Sequence, residues 1–367
     1  MLVLALYYLF DIAHAGHVPR QSSSGGGLQM SIINQCSDTI WPGLVTQGGG
    51  GPSTAGFELT SGSNKTINVG SDWQGRVWGR TNCTFSDPNQ PGGCLTGECG
   101  SLNCIQAGNP PATLAEITMD GGQSQTFYDI SLVDGYNLPM AIVLQTNGIS
   151  SLNSLKPSST NPSCVGSVND FAAQNFQPYN NHQQFLGTNA SDPLNFENQT
   201  TASQVAQWCP WDLQVNPPKA PGDGVYPYPD SNVERPPYNP CFSACAKYTT
   251  AQYCCTGSHS GEGNCSPNYY SKVAKQICPD AYSYANDDQD STFIVPKGGE
   301  FNVIFCPGGR STTIIANNQK AGSSGSSAPA GSRPALVFAA KSLTDGMLWK
   351  GVYVGFWLFV LGIGIHV

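Results

Sequence analysis

Fourteen cysteines lie between Cys36 and Cys306, an even number spread over most of a 367-residue chain. A reducing cytosol would keep so many thiols open to metals and oxidants, so the pattern implies an oxidising compartment and a disulfide-stapled fold. Zinc fits poorly: the histidines His14, His17, His182, His259 and His366 are scattered without metal-ligand spacing. Spacing alone leaves the connectivity of seven bridges open.

Composition narrows the fold class. Charged residues make up 11% of the chain, against 42 glycines and 27 prolines. That balance favours short strands and tight turns over long amphipathic helices. Period-two alternation of apolar and polar residues marks strands at Met30–Asn34, Thr66–Val69, Arg76–Thr81, Leu114–Met119, Thr126–Leu132, Ala141–Gln145 and Phe301–Phe305. The best helical spacing runs from Pro267 to Cys278, with Tyr270, Val273, Ala274 and Ile277 on one face. The expectation is an all-β protein, a flattened antiparallel β-sandwich with a cysteine-rich, partly helical second domain. A formal charge of −8 argues against nucleic acid and for cationic or neutral polar partners.

The ends read differently from the body. Leu2–Phe10 and the small-x-small run Ala13-His14-Ala15 have the form of a signal peptide over residues 1–15, followed by a Ser/Gly spacer at 16–27. A Ser/Gly/Ala-rich linker at 309–346 precedes a hydrophobic tail at 347–367, and the apolar run Gly351–Ile365 with no basic cluster after it favours a GPI signal over a spanning helix. Five sequons, at Asn64, Asn82, Asn189, Asn198 and Asn264, agree with a secreted glycoprotein held at the outer face of the plasma membrane.

One block is specific. Gly93-Cys94-Leu95-Thr96-Gly97-Glu98-Cys99-Gly100, then Cys104, then Pro110-Pro111-Ala112-Thr113-Leu114-Ala115-Glu116 resembles the signature of thaumatin-like, pathogenesis-related proteins. Arg76–Cys83, Tyr128–Asn137, Tyr253-Cys254-Cys255, Cys278–Tyr284 and Val303–Pro307 are similar to the same family, in family order. The resemblance implies a thaumatin-like domain over 28–308. Its sandwich is drawn from 28–80, 112–164 and 279–308, with a small disulfide loop at 81–111 and a cysteine-rich domain at 165–278. It also implies the pairs Cys36–Cys306, Cys83–Cys94, Cys99–Cys104, Cys164–Cys278, Cys209–Cys241, Cys245–Cys254 and Cys255–Cys265. One family bridge is absent, its positions falling at Val295 and near Ser159. The stretches 165–208 and 210–240 are longer than the family's loops.

The family's acidic cleft maps onto Arg76, Glu116, Asp129, Asp134 and Asp280, all present here. The resemblance implies an antifungal defence protein, monomeric and without a cofactor, binding β-1,3-glucan or another cell-wall polysaccharide at these five residues. Tyr128 and Tyr136 would offer flat faces to sugar rings. Two alternatives stand beside binding. Glu116 as acid with Asp134 or Asp129 as partner would make a weak endo-β-1,3-glucanase, and the anchored acidic surface would alternatively act as an extracellular interaction or signalling module. Residues 129 and 134 differ by an odd number, so an unbroken strand would send them to opposite faces. Arg80, two residue pairs from Arg76 on the same face, is a rival guanidinium partner. Trp41, Trp73 and Trp78 read as core.

Overall fold

The computed structural model describes residues 27–85, 92–165, 179, 183–194, 209–215, 240–261, 263–287 and 291–309. The expected leader, spacer, linker and tail, Asn198, and most of the stretches 165–208 and 210–240 lie outside these residues. Among the described residues, no helix is long and apolar enough to cross a membrane.

Ten strands form the body: β1 (Leu28–Asn34), β2 (Trp41–Gly48), β3 (Asn64–Val69), β4 (Gln74–Arg80), β5 (Leu114–Thr118), β6 (Gln125–Ser131), β7 (Met140–Gln145), β8 (Ser163–Cys164), β9 (Phe293–Pro296) and β10 (Glu300–Phe305). They pair into two five-stranded sheets, β3-β1-β10-β7-β8 and β2-β4-β5-β6-β9. All seven expected strands are present within a residue or two at either end. The pairing is antiparallel with one exception: β1 runs parallel to β10, with Ile32 opposite Val303. Strands β2 and β9 lack a clean period-two signal. Pro42 and Gly43 interrupt β2, and a register shift between Thr46 and Gly48 bends it.

The inner faces meet through alternate residues. Met30, Ile32, Ile142, Phe301, Val303 and Phe305 from the first sheet close on Leu44, Val77, Ala115, Ile117, Tyr128 and Ile130 from the second. Each such large apolar side chain contributes about 1.5–3 kcal/mol by leaving water. Val295 joins this core at 2% exposure, so the position of the family's missing bridge is filled by packing.

Seven disulfides join the pairs that the resemblance implies, and no cysteine is free among them. Cys36–Cys306 locks the C-terminal end of β1 to that of β10. Cys83–Cys94 and Cys99–Cys104 staple the small loop that covers one end of the second sheet's outer face, where Trp78 packs with Cys99 and Leu114. The other bridges tie down short helices: α1 (Ala244–Tyr248), α2 (Ala251–Cys254) and α3 (Tyr269–Ile277). Asn268 caps α3 by accepting hydrogen bonds from the amides of Tyr270 and Ser271. Tyr270, Ala274 and Ile277 face inward, and Val273 packs against the same core from a partly buried position.

Trp73 and Trp78 are fully buried. Trp41 departs from that expectation: it is half-buried on β2, its indole N–H donating to Glu58 at 3.3 Å.

Candidate functional site

Strand register assembles the site. Arg76 on β4 stands opposite Glu116 on β5, and Glu116 stands opposite Asp129 on β6. Direct cross-strand partners share a face with Cβ atoms about 4.5–5.5 Å apart. The three therefore form one row across the outer face of the second sheet, beyond the edge of the small loop. Arg76 is buried at 7% exposure, and its Nη2 lies 2.9 Å from Glu116 Oε1.

Asp134 joins the row from outside the strand. Strand β6 stops at Ser131, and the amide of Gly135 bonds back to the carbonyl of Leu132, closing a tight turn. That break removes the parity problem: Asp134 Oδ2 comes to 3.9 Å from Arg76 Nη1. Gly135 is required here, because φ is +108° and a Cβ would sit 2.3 Å from the carbonyl oxygen of Cys241. The second lobe holds the turn in place. Tyr270 donates from its hydroxyl to Leu132 O at 2.9 Å, Ser243 donates from its hydroxyl to Val133 O, and Tyr136 and Cys241 exchange backbone hydrogen bonds. Tyr270 and Ser243 are thus positioning residues that the family motif did not reveal; Tyr270 was legible only as one of the spaced residues on the helical face from Pro267 to Cys278.

The electrostatics of the row are uneven. Desolvation raises the Asp134 carboxyl above the ordinary aspartate range, and Glu116 adds to the rise while Arg76 opposes it. Glu116, expected to serve as acid, instead offers an oxygen already engaged by Arg76.

Asp280 sits in the turn after α3, at 8% exposure, where Oδ2 accepts the amide of Ser163 at 3.1 Å. Two residues on, Tyr282 forms a parallel bridge to Ser131, which draws this segment along the end of β6. Asp280 thus fastens the segment after α3 to β8 of the first sheet, beside the Cys164–Cys278 bridge.

Three expectations are corrected. Tyr128 is 1% exposed and packs 4.8 Å from the Phe301 ring centroid, while Tyr136 is 0% exposed, so neither presents a face to a sugar. Burial also pushes the Tyr128 hydroxyl up, well beyond the ordinary tyrosine range. Arg80 does not substitute for Arg76. It is fully buried, and its guanidinium donates to the carbonyls of Trp41 (2.8 Å), Ser101 (2.7 Å) and Leu102 (2.7 Å), which pins the small loop to the sheet. Desolvation lowers its pKa to about 10, with Glu98 opposing. Among the described residues, no group of His, Cys, Asp and Glu could hold a metal ion.

The fold and the row together define a disulfide-stapled β-sandwich carrying an arginine-centred carboxylate cluster beside a cysteine-rich lobe. The chain matches the Thaumatin family over residues 34–307 and belongs to it. It is 35% identical over 291 residues to pathogenesis-related thaumatin-like protein 3.5 of Cryptomeria japonica, covering 78% of this chain and 92% of that one. Pathogenesis-related protein 5 of Arabidopsis thaliana is 34% identical over 279 residues, covering 76% and 89% respectively. A PR5-like receptor kinase of the same plant is 32% identical over 281 residues, 76% of this chain and 34% of that longer one.

Proposed function

We propose that this chain is an extracellular, defence-type thaumatin-like protein that binds β-1,3-glucan or a related cell-wall polysaccharide along the Arg76–Glu116–Asp129–Asp134 row, with antifungal consequence. The observation that carries the reading is the Arg76–Glu116 pair at 2.9 Å, flanked by Asp129 and Asp134. Carboxylate oxygens fixed on a sheet accept hydrogen bonds from sugar hydroxyls, while the guanidinium donates to ring or hydroxyl oxygens. The names of the pathogenesis-related relatives agree with a defence role.

Binding is favoured over hydrolysis because glycoside cleavage needs a free proton donor and a second carboxylate across the scissile bond. Arg76 holds an oxygen of Glu116, the expected donor, at 2.9 Å, which leaves that group less free to face a leaving oxygen. The test uses the full chain with insoluble β-1,3-glucan: Glu116→Gln and Asp134→Asn should each reduce the bound fraction about five- to tenfold, on the scale of one or two lost hydrogen bonds to a charged group. Variants that sediment with the glucan as well as the parent reject the row as the site. Release of reducing ends from laminarin between pH 4 and 7, lost in Asp134→Asn, would establish the glucanase reading instead.

An anchored interaction module is the second reading, favoured by the tail at 347–367 and by the likeness to a receptor kinase over a third of its length. Release of the protein from membranes by a phosphatidylinositol-specific phospholipase tests the lipid anchor.

A further inference from the structure

The small loop contains a disulfide with a positive charge set against one of its two sulfurs. Arg80 Nη1 donates to Cys99 Sγ at 3.2 Å, while the rest of the guanidinium donates to the carbonyls of Trp41, Pro42, Ser101 and Leu102. Among the described residues, no carboxylate comes within ion-pair reach of this fully buried cation. Glu98 acts on it from farther away, with its own oxygens accepting from the amides of Cys94, Cys99 and Gly100. Desolvation lowers the guanidinium only to about 10, so it stays charged at neutral pH. We propose that Cys99–Cys104 is a thiol-exchange site, opened by a small thiolate of the glutathione class that attacks Cys104 Sγ and expels Cys99 as a thiolate held by Arg80.

The two sulfurs differ in the way such a step requires. Cys99 is 0% exposed, whereas Cys104 is partly exposed and is followed by Ile105, which is 78% exposed. A nucleophile from solvent therefore meets the Cys104 side first. The incoming thiolate gives its electron pair to Cys104 Sγ, the S–S bond breaks, and that pair leaves on Cys99 Sγ. One disulfide replaces another, so no separate oxidant is needed, and a second thiol of the same class would release Cys104 and complete a two-electron reduction.

Exchange speeds up as the pKa of the leaving thiol falls, and a neighbouring guanidinium lowers that pKa. Burial beside Trp78 and Leu114 works against the thiolate, as does Glu98. Arg80 outweighs them because it touches the leaving sulfur directly, while the Glu98 charge is shared among three amides. Forming the thiolate also supplies a counter-ion to a buried cation that otherwise has only carbonyls and a sulfur around it. The bridge spans a sequence separation of 5, the shortest of the seven, so the chain-entropy relation makes it the one whose opening least disturbs the fold. None of Arg76, Glu116, Asp129 and Asp134 takes part, and the site is independent of the glucan reading.

The experiment incubates the full folded chain with reduced glutathione at about 10 mM, traps free thiols with iodoacetamide and maps both modifications by peptide mass spectrometry. The adduct should sit on Cys104 and the carbamidomethyl group on Cys99. Glutathione on Cys99 instead overturns the proposal, as does a Cys99–Cys104 bond that stays closed, whether or not Cys83–Cys94 or Cys245–Cys254 opens. A second measurement isolates the charge. In Cys104→Ser the rate of alkylation of Cys99 against pH should have its midpoint at least about one unit below the ordinary thiol value near 8.5, and Arg80→Gln in that background should raise the midpoint by about a unit, a tenfold loss of thiolate at neutral pH. A Cys99 midpoint at or above the ordinary value, or one that Arg80→Gln leaves in place, refutes the role of the guanidinium. The adduct position is read on the parent and stands even if a variant fails to fold.

Discussion

Arg76→Met is the sharpest perturbation of the carboxylate row. The arginine side chain is 8% exposed and faces Glu116 at 2.9 Å and Asp134 at 3.9 Å. Breaking a buried ion pair by removing one partner costs about 3–5 kcal/mol. Here the surviving side chains keep 29% and 34% of their surface in water, so solvent recovers part of that cost, and a loss of about 2–3 kcal/mol is expected at pH 7. The loss has a pH signature. Asp134 already has a raised pKa in the parent, and Arg76 is the influence that holds it down. Without Arg76 the folded variant binds this proton still more tightly than the unfolded chain does. Its stability is then fully retained below the unfolded value near 3.8 and falls as pH rises through the raised folded value. At pH 3 the deficit should shrink to the lost packing of the arginine stem, about 1 kcal/mol. Urea unfolding of parent and variant at pH 3 and pH 7 measures both gaps. A deficit that is equal at the two pH values, or larger in acid, would refute the electrostatic account of the row.

Further outcomes follow from the same contacts. Asp134→Asn removes a charge that burial disfavours, so its urea midpoint should rise at pH 7, with the gain vanishing at pH 3 where the parent carboxyl is also neutral. Replacing Cys36 and Cys306 together by alanine opens a loop with a sequence separation of 270, and the chain-entropy relation sets an upper loss of about 5–6 kcal/mol by denaturant unfolding; a loss below about 2 kcal/mol would mean that the remaining bridges already restrain the unfolded chain. Arg80→Met strips a buried donor from four carbonyls, at about 1–3 kcal/mol for each group left unsatisfied. Amide exchange around Ser101–Ile105 should then accelerate more than exchange in β7, and uniform acceleration would show that Arg80 stabilises the whole domain instead of the loop.

How much of this was legible depends on the range of the signal. Strands with one face in the core, such as Met30–Asn34, announce themselves by period two. Strand β2 does not, because Pro42 and Gly43 read as breakers, yet Gly43 is needed where a Cβ would meet the Trp78 ring at 2.5 Å. The row of Arg76, Glu116 and Asp129 was reachable through the family motif, whereas its geometry depends on a register that no local pattern encodes. The position of Asp134 turned on where β6 ends, a matter of one turn and one glycine. Tyr128 was misread as a platform because an aromatic beside an aspartate on a strand points, by the same alternation, into the core.

The parallel pairing of β1 with β10 has a biosynthetic consequence. Strand β10, among the last residues of the domain to be made, belongs between β1 and β7 in the middle of its sheet. Until it arrives, β1 and β7 each present an unpaired edge to solvent, the condition under which nascent strands associate wrongly. A ribosome stalled short of residue 300 would therefore leave a sheet split in two, with Cys36 still waiting for its partner. Quality control has a simple chemical test of completion in that thiol, since it can be oxidised to its native mate only once the final strand has threaded into the gap.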